Sequence, residues 1–497
     1  MKLHELVKGL ELARVTGGLD VEISGLAYDS RQVREGFLFA ALAGGTADGH
    51  DYLADAAGRG AAAVLVQRAG AAGPGITELV AADTRRALAE IACRYHGDPS
   101  ASLRVVGSTG TNGKTTVSCL VRDVLASAGL SPGSIGTVSY QIGARVIPAV
   151  RTTPEAPDLQ SMLAQMLRAG CKSAVMEVSS HALVQDRVWG TRFDVGIFTN
   201  LTRDHLDYHE TMERYFEAKK RFFQSAYFRD SDAAAVVVNS DDPWGRQLLA
   251  QGAAPFLDAD RVITFGTRPE AAVRAEDIEL SSRGSSFLIR SPWETVRVKL
   301  RLLGRYNIYN ALAAFSACAA LGVDIALIAH VLSSVVFVRG RLEEIDTRRG
   351  FQVFIDYAHT DDAMQNVLTT LREITAGRLI VVFGCGGNRD RSKRPAMGRV
   401  AARLADYTFL TSDNPRNEDP AEIIEAIEVG FRDADNYEIV EDRREAIGKA
   451  LAMAQRGDIV LVAGKGHENY QELANRVVPF DDRQVVRQLL GAGRTTR

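Results

Sequence analysis

Cysteine is scarce in this chain and never paired. Cys93, Cys119, Cys171, Cys318 and Cys385 are scattered over 497 residues without a C-x-x-C, which excludes a disulfide framework and a structural zinc ribbon. A reducing, cytoplasmic setting is expected. Net charge is almost absent too: 59 Lys+Arg against 62 Asp+Glu leave −3, so no global basic field recruits nucleic acid or an anionic membrane. There is no basic stripe interleaved with aromatics, no internal repeat and no low-complexity tract. Long apolar runs are missing as well. Residues 1–8 break their apolar positions with charges too often for a secretory signal, and the most apolar stretch, 311–338, carries Asp324 and His330 and predicts a pair of core helices, not a membrane span. Any anionic ligand must therefore be met by local cations. What is present, 46% hydrophobic and 24% charged residues, suits a soluble globular protein, and the length suggests about three domains.

The strongest local signal is Gly107-Ser108-Thr109-Gly110-Thr111-Asn112-Gly113-Lys114-Thr115-Thr116. The apolar lead at 103–106 predicts a strand before it, and the spacing over 117–128 predicts a helix after it. That is the setting of a phosphate-binding loop. Glycines let backbone N–H groups converge on phosphate oxygens, the helix N-terminus adds positive potential, Lys114 neutralises terminal phosphates, and the Thr115 hydroxyl can hold Mg²⁺. Strict G-x-x-x-x-G-K-[ST] spacing wants glycine where this chain has Ser108, so the match is a variant; a chance glycine turn is the bland alternative.

The chain predicts three α/β units. Residues 1–98 form a small one, with strands ending near 31, 42 and 66, a helix near 52–57 and a polar glycine-rich loop at 44–50. Residues 99–338 alternate strand and helix around strands at 173–178, 194–200 and 233–239, implying a mostly parallel sheet covered on both faces. Residues 339–497 restart as a Rossmann-like unit with four strands at 352–356, 379–384, 407–410 and 459–464. Ligands of open α/β sheets sit at the carboxyl ends of the strands, so Lys114, Glu177 and the Asn200 region are expected close together.

Several side chains then invite chemistry. Glu177, at a strand end, reads either as a metal carboxylate or as a solvated one. Asp204-His205-Leu206-Asp207-Tyr208-His209 packs two carboxylates and two histidines together. Zinc on His205 and His209, Mg²⁺ held by one histidine with acidic and phosphate oxygens, and a plain surface turn are all open, with Mg²⁺ preferred because no third zinc ligand is evident. Arg389, Arg391 and Arg394 after Gly384-Cys385-Gly386-Gly387, with the turn Asp413-Asn414-Pro415-Arg416 and with Lys465-Gly466-His467-Glu468, read as a site for a zwitterionic or dicarboxylic small molecule.

These motifs, in this order, resemble the ATP-dependent Mur ligases of bacterial cell-wall synthesis, and the resemblance spans essentially the whole chain. It rests on Gly110 to Thr116, Glu177-Val178-Ser179-Ser180-His181, Asn200 to His209, Asp356-Tyr357-Ala358-His359-Thr360, the Gly384 turn and Lys465 to Glu468. Arg416 points to the members that add diaminopimelate, which carries one carboxylate more than lysine and so calls for an additional cationic fork. The resemblance implies ATP and Mg²⁺, the substrates UDP-MurNAc-L-Ala-D-Glu and meso-diaminopimelate, an acyl-phosphate route and a monomer. It implies ATP contacts at Gly110, Thr111, Asn112, Gly113, Lys114, Thr115, Thr116, Asn310, Arg341 and Asp356. The nucleotide-linked substrate would meet Tyr28, Ser30, Gly44, Gly45, Thr46, Thr152, Thr153, Ser179, Gln185 and Arg187. Diaminopimelate would meet Arg389, Asp413, Asn414, Pro415, Arg416, Gly464 and Glu468. Catalysis falls to Lys114, Glu177, His205 and Lys219, with Thr115, Glu177, His205 and a carbamylated Lys219 as metal ligands; on its own residues, Lys219 reads as an exposed helix lysine. The chain departs from the family pattern at Arg339, Asp361, Asn388 and Arg305-Tyr306-Asn307. Competing expectations are a ligase for lysine, a folylpolyglutamate-type enzyme, against which the first 98 residues argue, and a nucleotide-driven switch, which gives the Arg389 and Arg416 clusters no purpose.

Overall fold

A computed structural model describes residues 1–44, 47–69, 73, 75–229, 234–255 and 257–492. Three sheets organise it. The first runs Leu12–Thr16, Thr77–Ala81, Ala63–Val66, Phe37–Ala40, Gly25–Ala27, parallel except for its first pair. The second has eleven strands. Its parallel middle, in spatial order Val273–Ser281, Val262–Gly266, Ala235–Asn239, Val195–Phe198, Arg104–Thr109, Ser173–Glu177, Pro132–Ile135, is extended by antiparallel strands at both edges. Those edges, Gly284–Arg290 with Thr295–Leu300 and Ser139–Ile142 with Arg145–Pro148, and the middle strands Pro132–Ile135, Val262–Gly266 and Val273–Ser281 add to the strands predicted.

Alternation of side chains explains why the middle strands are apolar throughout. Val106, Val175 and Val237 face the layer built by helices Lys114–Ser127, Arg305–Ala320 and Ile325–Ser334. Val105, Ala174 and Val236 face the opposite layer, with helices Ala156–Arg168 and Met212–Lys220. The apolar stretch 311–338 is thus the expected pair of core helices. Among the described residues no helix is long and apolar enough to cross a membrane.

The third sheet orders Glu343–Asp346, Gln352–Asp356, Ile459–Ala463, Leu379–Phe383, Tyr407–Leu410, Tyr437–Ile439, with only the first pair antiparallel. It contains the four predicted strands and two more at its edges, and a separate hairpin pairs Tyr470–Leu473 with Arg476–Pro479. Parallel strands point their carboxyl ends one way, so each sheet gathers its strand-end motifs along one rim.

Candidate active site

The turn after Arg104–Thr109 depends on two glycines. Gly113 has φ +88° and Gly110 +149°, and a Cβ would lie 2.4 Å from Asn310 Oδ1 at the first and 1.9 Å from Thr199 Oγ1 at the second. No side chain caps the helix Lys114–Ser127 that follows, so its first-turn N–H groups remain for an anion. Asn112 N–H is taken by Asn200 Oδ1 at 2.9 Å, and the Lys114 ammonium folds back onto the carbonyls of Gly110 and Thr111 at 2.9 and 2.8 Å. Ser108 lies in the strand, its hydroxyl 3.0 Å from that of Ser118, which is why the loop does without a glycine there.

Oxygen donors line up beside this loop. Thr115 Oγ1 lies 3.0 Å from both carboxylate oxygens of Glu177, which also accept the Thr137 N–H at 2.8 Å and its hydroxyl at 2.9 Å. Thr116 is buried in the first helical turn. Lys219, read from sequence alone as an exposed lysine, is instead 1% exposed and donates to Gly110 O at 2.8 Å; burial, then the nearby Lys114, holds its amine well below its ordinary range. His205 is pushed down to about 3 by burial, with Asp204 beside it at 3.4 Å. Burial raises the Asp204 carboxyl, but His205, Lys393 and His359 outweigh that and keep it below the usual carboxylate range. His209 turns away onto the Ser180 hydroxyl at 2.9 Å and stacks on Tyr215, and among the described residues no three His, Cys, Asp or Glu side chains cluster at metal spacing. The oxygen-rich donor set, Thr115 and Glu177 with room for phosphate oxygens, fits a hard cation such as Mg²⁺.

The third unit closes over the same loop. Arg341 Nη2 donates to Thr115 Oγ1 at 3.0 Å and its guanidinium lies over the Tyr357 ring. Asp356, buried and with its carboxyl raised by that burial, accepts the Leu342 and Ala358 N–H groups at 2.6 and 2.7 Å, fixing the turn that carries Arg341. Asn112 Nδ2 donates to Asp362 Oδ2 at 2.7 Å. Asp361, where the family pattern has proline, pairs with Arg203 at 3.1 Å.

Downstream motifs build a second pocket. Asn414 Nδ2 donates to Glu468 at 2.8 Å, and Lys465 reaches Asn414 Oδ1 at 3.0 Å and Glu468 at 3.2 Å; burial raises the Glu468 carboxyl. A Cβ on Gly464 would lie 2.6 Å from Asp413 Oδ2, and one on Gly387 would lie 1.9 Å from Pro415 O, so both glycines are required by close approach. Arg416 donates to Gly387 O at 2.9 Å and meets Glu472 at 2.8 Å. Arg389 is exposed at the rim and donates to Asn388 O. Against the expectation of one anion site shared by three arginines, Arg391 and Arg394 both pair with Glu418, at 2.9 and 3.0 Å, whereas Arg389 has no acidic partner among the described residues.

Between the first and second sheets lies a third row. Thr152 hydrogen-bonds Thr137 at 3.1 Å, Thr153 donates to Glu177 O at 2.8 Å and meets Ser179 at 3.2 Å, and Arg187 donates to Thr153 O at 3.0 Å and Gln185 Oε1 at 2.6 Å. Tyr28 reaches across from the N-terminal unit to Asp158 at 2.6 Å. Ser30 is buried inside that unit, and Gly44 N–H closes a turn on Ala47 O at 3.0 Å. Gly45 and Thr46 lie outside the described residues. Thr137, Glu472, Asp362, Arg85 and Arg151 were not singled out from sequence; only packing between distant elements brings them in.

Comparison with known proteins agrees with this arrangement. Family models described as Mur ligase family, catalytic domain, Mur ligase middle domain, and Mur ligase, glutamate ligase domain match residues 22–96, 109–318 and 340–466. The chain is 46% identical over 504 residues to a Geobacter metallireducens protein named UDP-N-acetylmuramoyl-L-alanyl-D-glutamate–2,6-diaminopimelate ligase, covering 98% of each. A Caldanaerobacter subterraneus protein of the same name is 42% identical, with 99% of each covered. A solved structure of an enzyme so named superposes with TM-score 0.70 at 33% identity over the whole of both chains. MurF from Acinetobacter baumannii, at 21% identity and TM-score 0.66 over 94% of each chain, shares the fold. With all three sheets, the phosphate loop and the downstream pocket accounted for, this chain belongs to the Mur ligase family.

Proposed function

We propose that this chain is an ATP-dependent ligase joining meso-2,6-diaminopimelate to the D-glutamate γ-carboxylate of UDP-MurNAc-L-Ala-D-Glu, in cytoplasmic peptidoglycan precursor synthesis. One observation carries the choice of amino acid: Arg416, in the turn Asp413-Asn414-Pro415-Arg416, stands beside the Asn414–Glu468–Lys465 network. That juxtaposition supplies a cationic fork for the distal carboxylate and acids for an ammonium, as a second amino-acid head requires. The relatives named for this activity support the same substrate. A monomer divided as 1–98, 99–338 and 339–497 goes with this reading.

In the reaction, a γ-carboxylate oxygen attacks the γ-phosphorus of ATP and ADP leaves. The diaminopimelate amine then attacks the acyl carbon, loses a proton, and the tetrahedral intermediate expels phosphate. The protein's part is positioning and charge neutralisation. Gly110 to Thr116 cradle the phosphates, with the Lys114 ammonium on the terminal ones; Asn310, Arg341 and Asp356 complete the nucleotide site. Thr115 and Glu177 would hold one Mg²⁺ and His205 a second, each supplying phosphate charge neutralisation when bound. Lys219, with its depressed amine, is suited to form a carbamate: the neutral nitrogen bonds to the carbon of CO₂, one proton leaves, and a buried amine becomes an anionic oxygen donor. Phosphate release from purified substrates tests the proposal; turnover should require meso-diaminopimelate, and turnover with L-lysine but not diaminopimelate would overturn it.

A further inference from the structure

Glu155 sits at the seam between the N-terminal and central units and is only 6% exposed. Three guanidiniums converge on it. Arg85, from helix Thr84–Tyr95 of the N-terminal unit, lies 3.4 Å from Oε2; Arg187 lies 3.0 Å from Oε1; Arg151 pairs with Oε1 as well. Three cations on one carboxylate leave a surplus of two positive charges. A structural ion pair needs one arginine, and gathering two more against a single acid is unfavourable unless another anion completes the set. The neighbouring acids make their contacts elsewhere: Asp158 accepts the Tyr28 hydroxyl, Asp83 caps its own helix and Asp186 pairs with Arg221.

The position of the cluster names the anion. Arg85 Nη2 also donates to Ala43 O at 3.4 Å, beside the Gly44 turn, while Arg151 directly precedes Thr152 and Thr153. The cluster therefore lies between the residues proposed for the uridine nucleotide and those proposed for the muramoyl-dipeptide. In the substrate, the group between those two parts is a diphosphate. We infer that Arg85 and Arg151, tethered by Glu155, bind the substrate's diphosphate. Tethering holds both forks in place before the ligand arrives, which lowers the ordering cost of binding. The inference rests on the ligase reading and adds two residues to it.

Calorimetric titration of the full chain with uridine, UDP and UDP-MurNAc-L-Ala-D-Glu tests it. Wild-type protein should bind UDP more tightly than uridine. In Arg85→Ala and in Arg151→Ala, UDP should lose that advantage and the full substrate should bind about 10- to 100-fold more weakly, with uridine affinity and the KM for ATP unchanged. Arg85→Lys should recover part of the loss. Arg151 is half-exposed, so its variant keeps the test available if Arg85→Ala folds poorly. UDP affinity unchanged in both alanine variants overturns the inference, and so does a parallel loss of uridine and UDP affinity, which is what a merely structural role gives. Wild-type protein that binds neither UDP nor the full substrate overturns the ligase reading itself.

Discussion

Arg341 Nη2 donates to Thr115 Oγ1 across 3.0 Å, and the same hydroxyl oxygen lies 3.0 Å from Glu177. The third unit thus touches the first helical turn of the phosphate loop at the atom proposed to hold the metal. Arg341→Met should lower kcat by about 10²- to 10³-fold, the usual cost of removing one charge-stabilising donor from such a site, with a smaller change in the KM for ATP. Steady-state kinetics check this; an unchanged kcat would mean the contact serves packing alone.

Arg416→Ala removes the fork assigned to the distal carboxylate. Hydrogen bonds to charged groups contribute about 1.5–3 kcal/mol, so kcat/KM for diaminopimelate should fall about 10- to 100-fold. The KM for ATP should stay put. Equal losses for diaminopimelate and for L-lysine would contradict the role, because lysine has no distal carboxylate to lose.

Acid should destabilise the fold through His209. Buried against Ser180 and Tyr215, its imidazole is pushed down to about 4 from an ordinary 6.5, burial being the main cause. Between those two pH values the unfolded chain binds a proton that the folded one does not. Stability from this group is therefore complete above the unfolded value and declines as pH falls toward the folded one, by at most about 1.4 kcal/mol per pH unit. Urea unfolding of wild type and His209→Gln from pH 7.5 to 4.5 measures it. The variant's profile should be the flatter; parallel profiles would rule the contribution out.

Behind the downstream pocket, Arg443 and Asp482 are both fully buried and make two 2.8 Å contacts. Arg443→Met leaves the carboxylate unpaired in the core and should cost about 3–5 kcal/mol of stability. The exposed Arg391, paired with Glu418, should cost under about 1 kcal/mol when replaced by alanine. Denaturant midpoints compare the two, and a larger loss at Arg391 would contradict the burial argument.

Legibility from sequence followed the range of the interactions. The phosphate loop could be read because a strand, two obligatory glycines and Lys114-Thr115 are contiguous, and its proximity to Glu177 and Asn200 followed from the strand-end rule alone. The burial of Lys219 could not: helix Met212–Lys220 has ordinary charged spacing, and only the tertiary fold turns that one lysine under Gly110. Arg391 and Arg394 misled because sequence shows where cations stand and hides Glu418, their partner on a neighbouring loop. The edge strands of the central sheet escaped for a related reason, since a half-exposed antiparallel strand such as Thr295–Leu300 mixes polar and apolar residues as a loop does. Glu155 and its arginines come from two units, and no local pattern announces them.

In the proposed reaction the γ-carboxylate is activated by phosphorylation before diaminopimelate attacks. Substrate carrying ¹⁸O in the D-glutamate γ-carboxylate decides it by mass spectrometry of the phosphate released. One ¹⁸O atom should be transferred to each phosphate, together with formation of a product heavier by one diaminopimelate residue. Phosphate free of label, or a product formed with lysine in its place, would contradict it.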